Sequence, residues 1–211
     1  MKNYYVIFEK TEKFCPISLD GILHTAFYDK NPFESKNSDF VVRNFPRDTE
    51  AILPEEFWFI TADRKYDFDF RMYRGDSSGY FVSSKFLSLL LKFDTSIFQY
   101  KEMNIVNKRK EQVSSKEYFY IRFYSMLENA IDMDKSNIEL YRSGQDAGKI
   151  KKIWDLQLKG DVNFPDVFLL NQLKVYGKIF CSEKFKVEIE ANKMKGIICV
   201  PASQADTYKE A

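Results

Sequence analysis

A single histidine, His24, stands four positions after Asp20 and nine after Cys15, so carboxylate, imidazole and thiol occur together once in this 211-residue chain. Asp20, His24 and Cys15 are the one nucleophilic arrangement available, and no further group presents itself to orient the imidazole. A histidine in a polar, turn-rich stretch is the simpler reading. A zinc site needs three or four ligands at a recognisable spacing, which one histidine and the scattered Cys15, Cys181 and Cys199 do not supply. No metal or other cofactor is therefore expected, although metal chemistry through carboxylates alone stays open. Asp67 and Asp69 lie two apart on one side of an alternating segment, where they could hold a cation or act as an acid and base. With Arg71 as counter-charge, a solvated strand face is the plainer account. Gly75-Asp-Ser-Ser-Gly79 and Gly144-Gln-Asp-Ala-Gly148 lack phosphate-loop spacing and read as turns.

Two further groups bear on contact rather than catalysis. The run Lys108-Arg109-Lys110 near Tyr118 and Tyr120 could hold single-stranded nucleic acid by charge and stacking. Glu111, Glu117 and the overall charge argue against it. Tyr118, Tyr120, Arg122 and Tyr124 share one face of a strand and are residue types enriched at the energetic centres of protein interfaces. A sheet face covered by the protein's own loops explains them equally well. Both readings stay open, and Asp67, Asp69, Arg71 and Tyr73 join these four as candidate partner contacts.

The elements that must position these residues are largely β. Tyr4 to Phe8 predicts a first strand, followed by turns around Asp20-Gly21, Asn31-Pro32 and Phe45-Pro46. Phe57 to Thr61 is another strand, and Tyr66 to Arg74 alternates Phe68, Phe70 and Met72 against Asp67, Asp69, Arg71 and Tyr73, one face core and the other wet. Ser83 or Ser84 caps a helix running to about Phe93. A strand from Ile97 to Val106, a charged loop over 107–117 dividing two halves, and a strand from Tyr118 to Tyr124 come next. Ile150 to Leu158 places Trp154, Leu156 and Leu158 on one side, and Val167 to Gln172 is a short strand. A second helix runs from Glu183 to about Met194 with Phe185 and Ile189 inward. Gly196 permits the turn into Ile197–Val200, and Pro201 ends that strand. The fold class is α+β, mostly antiparallel or mixed sheet with two short helices. One domain over 1–211 is expected, with possible sub-units 1–107 and 118–201 and a frayed end over 202–211.

Composition narrows the classes. Apolar residues make up 45% and charged residues 30%, a balance that folds into a globular core. The 20 Phe and 13 Tyr accompany abundant Lys, Asn and Ile, as AT-rich codon usage would give. Net charge is +1, from 32 basic and 31 acidic residues, so no overall field draws nucleic acid or an anionic membrane. Three cysteines leave one unpaired in any disulfide scheme, which fits a reducing compartment. The N-terminal residues lack the apolar run of a signal peptide. No apolar stretch is long enough to span a bilayer. A cytoplasmic protein is expected, with its oligomeric state open.

A short pattern occurs twice: Tyr80-Phe-Val-Ser-Ser-Lys-Phe-Leu87 and Ile179-Phe-Cys-Ser-Glu-Lys-Phe-Lys186. Aligning Phe81 with Phe180 also aligns Ser83 with Ser182, Lys85 with Lys184, Phe86 with Phe185 and Leu90 with Ile189, without a gap. Each copy reads as strand, Ser cap, helix, strand. The second copy closes with Gly196-Ile-Ile-Cys-Val200, where the first offers Ser96 in place of the glycine. In this the chain resembles the bacterial immunity proteins of polymorphic-toxin and contact-dependent-inhibition systems, in the branch with a strand–Ser–helix–Gly–strand unit. The likeness covers roughly Phe57 to Pro201, most closely Val167 to Pro201, and the N-terminal third shows nothing of it. It implies a cytoplasmic, non-enzymatic protein that binds a cognate toxin domain and blocks it. It carries over no site residues.

Overall fold

The computed structural model describes residues 3–27, 53–62, 65–73 and 79–208. The turns expected at Asn31-Pro32 and Phe45-Pro46, most of the Gly75–Gly79 loop and Arg74 lie outside them. The strands are β1 (Tyr4–Glu9), β2 (Gly21–His24), β3 (Glu56–Thr61), β4 (Phe70–Met72), β5 (Gly79–Ser83), β6 (Phe98–Asn107) and β7 (Tyr118–Phe123), then β8 (Asn137–Leu140), β9 (Ile150–Asp155), β10 (Val167–Leu169), β11 (Ile179–Ser182) and β12 (Ile197–Pro201). Helix α1 (Ser84–Leu90) follows β5, and α2 (Glu183–Ala191) follows β11. They form a six-stranded sheet, β2-β3-β6-β7-β5-β4, a four-stranded sheet, β10-β11-β1-β12, and a β8–β9 hairpin. Within the named strands every pairing is antiparallel except β3 with β6. The chain is α+β with mixed sheet.

The sequence repeat is a structural one. Both helices begin on the aligned serines: the Ser83 hydroxyl accepts from the Phe86 N–H at 3.3 Å and the Ser182 hydroxyl from the Phe185 N–H at 3.4 Å. In the first unit β5 and β6 flank β7; in the second, β11 and β12 flank β1. The registers correspond residue by residue. Tyr80 faces Ile121 and Lys101 faces Tyr120, just as Ile179 faces Ile7 and Val200 faces Val6. On the outer side Arg71 faces Phe81 as Phe168 faces Phe180.

The two units press their inner faces together. Tyr80, Val82, Phe86, Leu90 and Ile121 share one buried cluster with their counterparts Ile179, Cys181, Phe185, Ile189 and Ile7. The equivalent Phe86 and Phe185 meet edge to face, ring centroids 6.0 Å apart. Each fully buried side chain of this size stabilises by about 1.5–3 kcal/mol. The loop after each helix also reaches the outermost strand of the other unit: Ser96 N–H donates to the Val167 carbonyl, and Asp69 N–H to that of Lys195. Phe81 and Tyr120 on the first unit's outer face are covered by Leu23, Leu53, Phe57, Phe59 and Phe68; Val6, Phe168 and Phe180 on the second by Ile150, Ile153, Leu156 and Ala205.

Several expectations change. The 107–117 loop joins the neighbouring strands β6 and β7 rather than dividing two halves, and β1 completes the C-terminal sheet, so hydrogen bonding crosses the 1–107 and 118–201 boundaries. The part of 202–211 that is described is folded, not frayed: Ala202–Gln204 is a 3-10 helix, Ala205 is fully buried and Tyr208 packs on Phe8. Among the described residues of the Tyr66–Arg74 segment, only Phe70–Met72 is strand. Before it, the N–H groups of Tyr66, Asp67 and Asp69 donate to Val113, Phe14 and Lys195, three separate loops that preclude one continuous ladder.

Candidate partner-binding surface

Asp67, Asp69 and Arg71 were expected on a wet face, and the structure folds loops over it. Arg71 is fully buried, and its guanidinium donates to the carbonyls of Lys10, Cys15, Pro16, Phe70 and Gly196. Five backbone dipoles converge on the cation, so it ties three chain segments together. Gly196 makes the close approach possible, because its φ is +75° and a Cβ there would sit 2.5 Å from an Arg71 nitrogen. Asp69, 2% exposed, accepts from the Ser83 hydroxyl at 2.7 Å, from the Lys195 N–H at 2.6 Å and from Lys116 Nζ at 2.9 Å. Asp67 pairs with Lys116 at 2.9 Å and with Lys195. Partial burial pushes the Asp67 carboxyl up, but the two lysines outweigh it and hold the group below its usual range. These carboxylates are committed to structure, and only Asp67 and Tyr73 of this foursome are more than marginally accessible.

The face of β7 is covered likewise. Tyr118, Tyr120, Arg122 and Tyr124 are all buried. The Tyr118 hydroxyl donates to the Phe68 carbonyl at 3.1 Å, and burial pushes its ionisation far above the ordinary value. The Tyr120 ring packs 4.6 Å from Phe57. Arg122 lies 6.0 Å from the Tyr124 ring, whose hydroxyl bonds Gln99 at 2.9 Å. Alternation identified the two sides of this strand correctly; the second side is core because Phe57 and Phe59 from β3 of the same sheet, and Leu53, Tyr66 and Phe68 from the loops, pack against it. Of the candidate nucleophilic set, Cys15 is fully buried with its thiol on the Asp67 carbonyl at 3.2 Å, and burial pushes it up. His24 is 2% exposed in β2, opposite Trp58.

The accessible features lie elsewhere. Trp154 was expected on one side with Leu156 and Leu158, yet it is 48% exposed while Leu156 is buried. Register shifts along β8–β9 turn Ile150 and Ile153 to the core instead, and Trp154 outward. Gly144 and Gly148, both at φ +84°, build the hairpin tip as turn residues. A groove of about 590 Å³ opens between Tyr4, Tyr5, Leu158, Val162, Pro201 and Ser203. Among the described residues no helix is long and apolar enough to cross a membrane, and no cluster of His, Cys, Asp and Glu suits a metal ion.

Residues 7–208 match the sequence profile of Immunity protein 43. The chain belongs to that family. The match starts in β1 and so includes the N-terminal third, where nothing of the family was expected. No curated protein matches the chain. As an Immunity protein 43 family member it is an immunity protein directed at a toxin, which gives the exposed surface its relevance.

Proposed function

We propose that this protein acts by binding a cognate toxin domain in the cytoplasm of a bacterium with a polymorphic-toxin or contact-dependent-inhibition system, and that it neutralises the toxin without catalysis. Family membership over 7–208 carries the reading. The commitment of Cys15, Asp67 and Asp69 to structural hydrogen bonds supports it, because a reactive set held in such bonds has no position from which to meet a substrate. Asp67 and Tyr73 remain candidate contacts. The test is co-expression with the polypeptide encoded immediately upstream. Rescue from growth arrest together with co-purification is the expected result; a harmless product that does not bind would sink the reading. His24→Ala and Cys15→Ala separate it from catalysis through Asp20, His24 and Cys15, since full protection by folded variants excludes that chemistry.

A further inference from the structure

Strand β12 is one margin of the four-stranded sheet, and Lys10 N–H, donating to the Gly196 carbonyl at 2.9 Å, sets the phase of its ladder with β1. Ile198 and Val200 therefore bond to β1 opposite Phe8 and Val6, while the N–H and C=O groups of Ile197 and Cys199 and the Pro201 carbonyl point away from the sheet. Among the described residues nothing takes these groups up. The opposite margin, β10, is closed: Val167 N–H donates to Asp94, and the Val167 and Leu169 carbonyls accept from Ser96 and Leu127. In β6, the equivalent strand of the first unit, β3 joins from Glu102, the position aligned with Pro201, so only Phe98 and Tyr100 are bare there. Of the remaining sheet margins, β2 is four residues long, and Met72 N–H in β4 donates to the Glu9 carboxylate. β12 also lacks the charges that usually guard an edge, since Ile197-Ile-Cys-Val-Pro201 carries none. Cys199 is half-buried and Pro201 exposed, so the edge is open to a partner. Pro201 also borders the groove of about 590 Å³, whose only charged lining residues are Lys159 and Asp161, one of each sign.

We infer that an extended segment of the toxin, apolar at alternate positions, pairs with β12 as a fifth strand of this sheet and continues past Pro201 into the groove. This rests on the toxin-binding reading above and specifies the surface. Hydrogen-bond geometry selects the occupant: donors and acceptors that recur at every second residue are matched by another extended backbone, and not by a helix, whose groups are used internally. Alternate side chains of the added strand lie beside Ile197 and Cys199, which border the core between the two units, so apolar ones suit. A second copy fits less well. Paired antiparallel with itself about Cys199, β12 would bring Gly196 and Lys195 of the second copy toward the groove. Both are held by their own chain, Gly196 by Lys10 and Arg71 and Lys195 by Asp67 and Asp69. A self-pair therefore stops at the five residues of β12 on each side, short of what a stable dimer buries.

The test is residue-resolved amide hydrogen exchange of the purified full chain, free and with the polypeptide encoded immediately upstream. The Ile197 and Cys199 amides, unbonded in the free chain, should exchange about a hundredfold or more slowly in the complex. Cys199→Pro deletes an N–H that the fold itself does not use and should weaken binding by about tenfold or more. Val162→Arg, which fills the groove from a 41% exposed position, should weaken it by about tenfold as well. Val187→Arg, 49% exposed on α2, should leave binding unchanged. The exchange measurement needs no variant, so it decides even where Cys199→Pro fails to fold. If the unaltered chain does not bind that polypeptide, the toxin-binding reading fails and this edge with it. Binding with both amides still in fast exchange overturns this edge alone. Protection of the two amides that grows with chain concentration, without the upstream polypeptide, assigns the edge to a second copy and equally overturns the inference. Full binding by Val162→Arg overturns the extension into the groove.

Discussion

In the first unit the strand lying between β5 and β6 follows them directly in the chain; in the second, the strand between β11 and β12 is β1, drawn from the opposite terminus. The two units are nonetheless in the same register around their central strands. A strand–helix–strand crossover leaves a gap one strand wide, and whichever extended segment has the right pattern can fill it. Their outer layers differ more. β6 runs ten residues and gains β3 as a parallel neighbour, whereas β12 stops after five at Pro201, and the chain turns into the short 3-10 helix that buries Ala202 and Ala205. The inner faces are alike because they pack on each other, and the outer faces diverged with what covers them.

The sharpest way to break this comparison is at the equivalent positions Arg71 and Phe168. Arg71→Met removes five hydrogen bonds to buried carbonyls and should cost about 3–5 kcal/mol in urea unfolding, against about 1 kcal/mol for the apolar swap Phe168→Leu. Similar losses at both would mean that the carbonyl cage is no more sensitive than ordinary packing. Next comes the pair before the closing strands: Gly196→Ala, strained at positive φ and pressed on Arg71, should cost about 2 kcal/mol. The residue aligned with it, Ile97, is 61% exposed, and Ile97→Ala should cost less than about 1 kcal/mol.

The two caps come third. Ser83→Ala should lose about 2 kcal/mol because its hydroxyl also serves the buried Asp69, and Ser182→Ala about 1 kcal/mol as a cap alone. Equal losses would show that the Asp69 bond adds nothing. Smallest is the pH effect of Asp67. Its folded value is held below the ordinary 3.8, so its pairing stabilises above that value and is lost as pH falls through the lowered one. Asp67→Asn should therefore lower stability at pH 7 by that small contribution, change little below the lowered value and so flatten the acid limb of a stability-versus-pH curve, and an unchanged limb would mean that the lysines do not favour the ionised form.

What the residues revealed depended on how locally each feature is determined. Ser182 was legible as a cap, and the first cap was legible as Ser83 or Ser84, because a hydroxyl and an N–H three residues on settle the matter. β1, β3, β6, β7 and β12 were legible from β-rich runs and, in β7, from alternation. The candidate site was far less so. Alternation at Tyr118–Tyr124 separates two faces but cannot state that side chains from β3 and the loops cover one of them. Trp154 misled because a bulge shifts the phase by one residue, and a period-two pattern carries no mark of where that occurs. The N-terminal stretch was illegible since β2, four residues long, acquires its identity only by pairing with β3.

The sequence by itself determined the serine caps, the two short helices, the turn at Gly196, the strand end at Pro201 and the duplicated unit, since each is satisfied within a few residues of backbone. Tertiary structure decided that β1 fills the second unit, that Arg71 is caged by carbonyls and that Trp154 faces water. Those outcomes rest on hydrogen-bond partners and covering layers far apart in the chain, where register and burial, not local preference, select the arrangement.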